Sequence, residues 1–311
     1  MSQAQTNSRA SIEDYFVTQR AAIDRALEQL LPTPPTCPAL IAEAMRYSLF
    51  AGGKRLRPIL TIASADTISQ SPSTKSDLMA AACAIEMIHT YSLIHDDLPS
   101  MDDDSLRRGQ PTAHVVYGEG MAILAGDALL TEAFGSLSRI AVPGNATACN
   151  RALMAIKCIA EAAGATGMVG GQVLDLQSTG KNQEREEGEN LRAIHSKKTS
   201  ALIRAATVVG AIIAGGTKET IKVIDTYASH FGLAFQIIDD VLDVEGASER
   251  LGKTVGKDAT TGKVTYPSLY GIDESKRLAA ESISNAHAAL ETFSRQSRLS
   301  EIADWALKRT M

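Results

Sequence analysis

Residues 231–244 read FGLAFQIIDDVLDV. Apolar side chains fall at Phe231, Ala234, Phe235, Ile238, Val241 and Leu242, a spacing that fits one stripe of an α-helix. A polar stripe runs beside it through Gln236, Asp239 and Asp243, with Asp240 adjacent. Asp239 and Asp243 therefore stand one turn apart on one face, where like charges weaken a bare helix. Magnesium is the obvious compensation, because it seeks hard oxygen ligands and is held by one or two carboxylates together with substrate phosphates. A solvated acidic face is the plain alternative for so short a motif.

Outward from this stretch the same periodicity recurs. Ser11–Leu31 reads as a helix with Ser11 as N-cap and Glu13 and Asp14 in its first turn. Pro32 to Pro38 is a stiff connector. Helices are expected over Pro38–Phe50, from Pro58 to Ser69, over Asp77–Asp97, Ala122–Ile140, Ala146–Gln177 with a Gly-rich break, Leu191–Ala214 and Lys218–Val244, and over most of the tail from Pro267. Ser178–Asn190 and Gly246–Pro267 read as loops, and residues 1–10 as a frayed tail. No segment alternates with period two, and no interdomain linker is visible. The expectation is an all-α chain forming one domain over residues 1–311.

Composition agrees and excludes other classes. The chain has 311 residues, 44% of them apolar and only 5% aromatic, which favours helix over sheet. Its net charge of −5 argues against a nucleic-acid binder, and its apolar content against a disordered chain. Cys37, Cys83, Cys149 and Cys158 show no metal or redox spacing. No signal peptide is evident, and the longest apolar run, Ala205–Gly216, is too short for a membrane span. A soluble cytoplasmic protein is the default expectation.

A second acidic motif, HDDLPSMDDDSLRRG over His95–Gly109, changes the reading of the first. Five of the nine residues from Asp96 to Asp104 are aspartates, and their mutual repulsion asks for a cation. Glu86, His89 and Asp96 lie near one face of the helix that leads in. Pro99 disturbs that helix and lets Asp102 return toward Asp96 and Asp97. Arg107 and Arg108 follow directly, and a guanidinium binds phosphate through its planar fork. Carboxylates backed by paired arginines suit a Mg²⁺–diphosphate complex. GGKRLRP at Gly52–Pro58, Lys197-Lys198-Thr199, and Lys253, Lys257 and Lys263 are further cationic sets. Ala247–Thr254, ASERLGKT, falls short of a nucleotide P-loop: its first position is Ala and it follows a helix.

With GGKRLRP, HTYSLIHDDLPSMDDDSLRRG, GDALL, KKTSALIRAA, FGLAFQIIDDVLD, LGKTVGKD and TYPSL in this order, nearly the whole chain resembles the trans-isoprenyl diphosphate synthases, and most of all their bacterial farnesyl-forming members. The resemblance implies about ten core helices around a deep cavity, and a homodimer. It implies that the two aspartate motifs face each other and hold about three Mg²⁺ ions on an allylic diphosphate. Carried over, the metal ligands are Asp96, Asp97, Asp102, Asp239 and Asp243, with Asp240 in support; Asp103 or Asp104 can replace Asp102. Arg107, Lys198 and Lys253 would contact the allylic diphosphate, with Thr199 and Gln236 nearby. Lys54, Arg57, His89 and Arg108 would bind isopentenyl diphosphate, and roles for Lys257 and Lys263 stay open.

The implied reaction joins isopentenyl diphosphate to dimethylallyl and then geranyl diphosphate, by ionisation, condensation and proton loss, giving farnesyl diphosphate. Its carbocation must be kept from water, so an apolar cavity is required. The residue five before the first aspartate pair is Tyr91, and by resemblance it limits product length. Ideal helix geometry places Tyr91 well round the helix from Asp96, so that role rests on resemblance alone. Geranylgeranyl diphosphate is the alternative product. A non-catalytic subunit would be expected to lack one aspartate motif, and a terpene cyclase to lack GGKRLRP.

Overall fold

The computed structural model describes residues 10–69, 75–178, 187–249, 264–293 and 297–310. In chain order its elements are α1 (Ile12–Leu30), α2 (Ala39–Leu49), α3 (Leu56–Ile68), α4 (Lys75–Asp96), a minimal hairpin of β1 (Leu106–Arg107) and β2 (Gln110–Pro111), α5 (Ala113–Tyr117), α6 (Glu119–Ser138), α7 (Ala146–Ala163) and α8 (Met168–Ser178). There follow α9 (Glu187–His195), a π-helical turn at Ser196–Ser200, α10 (Ala201–Ile213), α11 (Lys218–Glu249), α12 (Tyr266–Tyr270), α13 (Ile272–Ala289), α14 (Arg298–Leu307) and a 3₁₀ turn at Lys308–Thr310.

The all-α expectation holds. Ser11 caps α1 by accepting from the Asp14 amide, and Tyr15, Ile23 and Leu27 form the inward stripe of that helix. α10 is apolar on nearly every side, with each residue from Leu202 to Ile213 buried except Arg204. A helix of that kind belongs in the middle of a bundle, and α10 packs against α3, α4, α7 and α11. The Thr61 hydroxyl donates to the Ala206 carbonyl at 2.9 Å and ties α3 to α10. α4 lies between α3 and α6, and α11 lies along α13. The buried Tyr227 hydroxyl donates to the Leu299 carbonyl at 2.7 Å and fixes α14 over α11.

Three sequence expectations need correction. The Gly109–Thr112 break is an antiparallel pairing, Leu106 opposite Pro111 and Arg107 opposite Gln110, followed by the extra short helix α5. Glu187–Asn190 and Gly246–Glu249, expected to be loop, are helical, the first opening α9 and the second closing α11. By length and composition α4, α6 and the 146–177 stretch are long and apolar enough to cross a membrane, although no unbroken apolar run reached that length. Polar residues spaced among apolar ones interrupt a run without lowering the average much. In α4, 67% of that window is buried within the bundle.

Candidate active site

α4 ends where the acidic motif begins. After Asp97 the chain turns back on the helix: the Asp102 amide donates to the Asp96 carbonyl at 2.9 Å, and the Asp104 amide to the Asp97 carbonyl at 3.1 Å. Asp102 thus returns to Asp96, as Pro99 suggested. The turn needs left-handed backbone at Asp103, φ 49°, and the only other non-glycine residues of that kind among the described residues are Arg55 and Arg108. All three border the site, and such strain persists only where surrounding contacts over-determine it.

The hairpin holds Arg107 over the first motif. Its Nε donates to Asp97 Oδ1 and Oδ2 at 2.8 and 2.9 Å, and Asp104 lies 3.8 Å from Nη2. Burial pushes the Asp97 carboxyl above its ordinary range, opposed by the Arg107 fork. Both Asp97 oxygens therefore belong to Arg107, an arrangement that positions the guanidinium. Asp96 faces the other way. Gln172 Nε2 donates to its Oδ1, and Lys198 Nζ stands 3.6 Å from its Oδ2. Lys198 also pairs with Asp175 at 2.6 Å. Burial works against the Lys198 ammonium, but Asp96 and Asp175 outweigh it and raise its pKa. Burial raises Asp96 as well, with Asp102 adding to the shift and Lys198 opposing it.

Lys198 is on the π-helical turn, with Thr199 next to it. Such turns widen a helix locally and often mark functional sites. α8 meets this turn at Gly171, where a Cβ would overlap the Lys198 backbone nitrogen. The same helix supplies Gln172 and Asp175, which sequence reasoning missed; their three-residue spacing directly after Gly170-Gly171 was the available signal.

The second motif lies in mid-α11. Asp239 Oδ1 is 3.0 Å from Arg309 Nη1, on the C-terminal 3₁₀ turn. Burial raises the Asp239 carboxyl, while Arg309, Lys54 and Arg57 pull it back. The Arg309 guanidinium lies over the rings of Phe235 and Trp305, at 5.3 and 5.7 Å, and Lys54 Nζ lies 5.4 Å from the Trp305 ring. No motif spacing pointed to Arg309. Asp243, one turn on, is exposed. Asp240 is buried: it accepts from Gln236 Nε2 at 2.8 Å and from the Tyr266 amide at 3.0 Å, and His195 Nε2 stands 3.9 Å away. Gln236 thus serves Asp240, and Asp240 fastens α11 to α12.

Between the two motifs stand the residues of GGKRLRP. Arg57 Nη1 is 3.1 Å from His89 Nε2 on α4; burial lowers the Arg57 pKa, with Glu86 and then Asp239 opposing the shift. Burial and the surrounding arginines hold the His89 pKa well below its ordinary value, so the ring is neutral near pH 7. Arg108 reaches back to the Gly52 carbonyl. Arg55 turns inward instead, pairing with Glu86 and Asp24 at 2.8 Å each and donating to the Leu49 carbonyl at 2.7 Å. It is a buried strut for the loop that carries Lys54 and for the first turn of α3, which carries Arg57. Lys253, Lys257 and Lys263 lie outside the described residues.

The arrangement offers two carboxylate stations, Asp96 and Asp97 with Asp102, and Asp239 with Asp243, flanked by Arg107, Arg108, Arg57, Lys54 and Lys198. No ready-made group of three metal-ligating side chains is present among the described residues. The donors are nevertheless all carboxylate oxygens, and Asp96 and Asp239 keep raised pKa values despite their cationic neighbours. Those properties fit a hard divalent cation that completes its shell with substrate oxygens.

Residues 38–302 match the polyprenyl synthetase family. Among curated proteins, geranylgeranyl pyrophosphate synthase 3, chloroplastic, of Arabidopsis thaliana is 47% identical over 273 residues, covering 88% of this chain and 74% of its own. Among solved structures, an FPP/GFPP synthase from Zymomonas mobilis superposes with a TM-score of 0.81 at 33% identity, covering 95% of this chain and 98% of its own. A putative farnesyl-diphosphate synthase from Marinomonas sp. MED121 superposes with a TM-score of 0.78 at 37% identity, covering 96% and 100%.

Proposed function

The chain belongs to the polyprenyl synthetase family and is a prenyltransferase, and from that premise we propose that it extends dimethylallyl and geranyl diphosphate with isopentenyl diphosphate and stops at farnesyl diphosphate. The stopping point rests on the resemblance at Tyr91, five residues before Asp96, and the burial of that aromatic ring on α4, 7% exposed, is consistent with it. By that resemblance a rigid ring there would limit how far a growing chain can descend. Geranylgeranyl diphosphate is the second reading, favoured by the name of the 47%-identical Arabidopsis relative.

Asp96, Asp97, Asp102, Asp239 and Asp243 would hold Mg²⁺, which when bound supplies Lewis-acid neutralisation of a departing diphosphate. Asp97 anchors Arg107 beside the first motif by accepting from its Nε and Nη2, and Lys198, steadied by Asp175, adds a second cation. Lys54, Arg57 and Arg108 receive the diphosphate of isopentenyl diphosphate, and neutral His89 orients Arg57. No Ser, Cys or His nucleophile is needed, and Cys83 is accordingly inert, its thiol pushed up to about 12 by burial. We read residues 1–311 as one domain that works as a homodimer. Val115 and Val116 on α5, Ile123 and Leu124 on α6, and Leu153 and Met154 on α7 are exposed apolar side chains on elements that each contact α6, apolar surface that a second copy would cover.

The deciding experiment incubates the purified protein with isopentenyl diphosphate, geranyl diphosphate and Mg²⁺ and separates the products by chain length. Farnesyl diphosphate as the main product supports the first reading; geranylgeranyl diphosphate selects the second; no product refutes both.

A further inference from the structure

The Gly126-Asp127 pair of the GDALL segment takes no part in the chemistry above, yet it is in contact with the residue next to the first aspartate pair. His95, in the last turn of α4, points its ring across to α6, where Nε2 lies 3.1 Å from the Ile123 carbonyl and 3.8 Å from Asp127 Oδ1. The ring lies directly on Gly126: a Cβ at that position would overlap Nε2 and Cδ2. A single residue without a side chain, one carbonyl and one carboxylate thus fix the imidazole against α6.

The other side of the same imidazole meets Tyr91, four residues earlier on α4. The two rings stand edge to face, with centroids 5.6 Å apart and planes at 82°. An edge-to-face contact restrains the torsions of both rings. Tyr91 is buried among core residues while His95 is partly exposed at the α4–α6 joint. Imidazole position and phenol position are therefore mechanically linked, with the fixed point on α6.

We propose that His95 is a specificity-determining positioning residue, which holds the Tyr91 ring in its length-limiting place and is itself held by the Ile123 carbonyl, Gly126 and Asp127. The proposal rests on Tyr91 being the floor of the product site. It gives Gly126-Asp127 a function distinct from binding substrate: they are the seat of a buttress. It also implies that product length is set by the α4–α6 joint as a unit rather than by Tyr91 alone.

The test is product-chain distribution, measured per turnover with isopentenyl and geranyl diphosphates and Mg²⁺, for wild type, Tyr91→Ala, His95→Ala, Gly126→Ala and the Tyr91→Ala/His95→Ala double variant. At matched active-enzyme concentration and saturating substrates, product ratios report the site rather than the amount of folded protein. The expected result is a severalfold rise in products longer than the wild-type product for all three single variants. The double variant should go no further than Tyr91→Ala, because His95 acts through the ring already removed. If Tyr91→Ala lengthens the product while His95→Ala and Gly126→Ala keep the wild-type distribution, the buttress is overturned and the floor survives. If the double variant lengthens beyond either parent, His95 acts independently of Tyr91 and the proposal is likewise overturned. An unchanged distribution in Tyr91→Ala removes the floor itself.

Discussion

Asp239 shows how one side chain serves two purposes. Its carboxylate is a member of an aspartate station and also the partner of Arg309 at the far end of the chain. Asp239→Ala is expected to lower turnover by roughly 10³-fold, the scale of losing a preorganised electrostatic group. Its melting temperature should change little, because the pair with Arg309 is partly exposed and such pairs contribute about 1 kcal/mol or less. Product formation and a thermal melt measure the two quantities separately; a turnover loss matched by unfolding would remove the catalytic explanation. His195 gives a pH signature. Burial lowers its pKa from 6.5 to about 4, so the unfolded chain takes up a proton first as pH falls. Its contribution to stability is complete above pH 6.5 and declines as pH falls toward 4. Urea midpoints across that range should therefore fall more steeply for wild type than for His195→Phe; parallel profiles would mean that the ring is not buried neutral.

At the scale of elements, the junction between α8 and the π-helical turn is the most demanding contact in the site. Gly171 lies so close to the Lys198 backbone that any side chain must push the turn away. Gly171→Ala is expected to displace Lys198 and lower kcat/KM for the allylic diphosphate by about 10²-fold, the cost of a misplacement near 1 Å. The KM for isopentenyl diphosphate should hold, since Lys54, Arg57 and Arg108 sit on other elements. Initial rates with each substrate varied in turn check this; equal effects on both would locate the damage elsewhere. The long helices were legible because their apolar stripes are a local property, as Ser11 capping α1 and the Phe231–Leu242 stripe illustrate. The β1–β2 hairpin and α5 were not, since elements this short are held from outside. Tyr47 donates to the Pro111 carbonyl at 2.8 Å, and Arg108 reaches to Gly52. No pattern inside residues 106–117 announces either contact.

For the molecule as a whole, the apolar side chains left uncovered on α5, α6 and α7 define the assembly that is expected. Leu124 is 55% exposed and Leu153 65% exposed. Leu124→Asp should shift the protein from dimer to monomer in sedimentation, because a charge buried in an interface without a partner is strongly unfavourable. A wild-type protein that already sediments as a monomer would dismiss the homodimer. Ile123 is exposed and its carbonyl meets His95 at the α4–α6 joint, so substitutions there should be read for both assembly and product length.

The amino-acid sequence alone determined the all-α class, the two acidic motifs and most of the cationic set. Helical periodicity, glycine and proline breaks and the affinity of carboxylate oxygen for hard cations are all properties of neighbouring residues. It also allowed Asp102 to return toward Asp96, since Pro99 interrupts the helix, and the structure shows that return. Only the tertiary structure decided how the charges are divided. It gave Asp97 to Arg107, Asp96 to Gln172 and Lys198, Asp240 to Gln236 and the Tyr266 amide, and Asp239 to Arg309. It turned Arg55 into a buried strut while Arg57, two residues on, met His89. The physical reason is that a charge is assigned by distance through space and by burial, and segments far apart in sequence acquire those distances only when the bundle closes around α10.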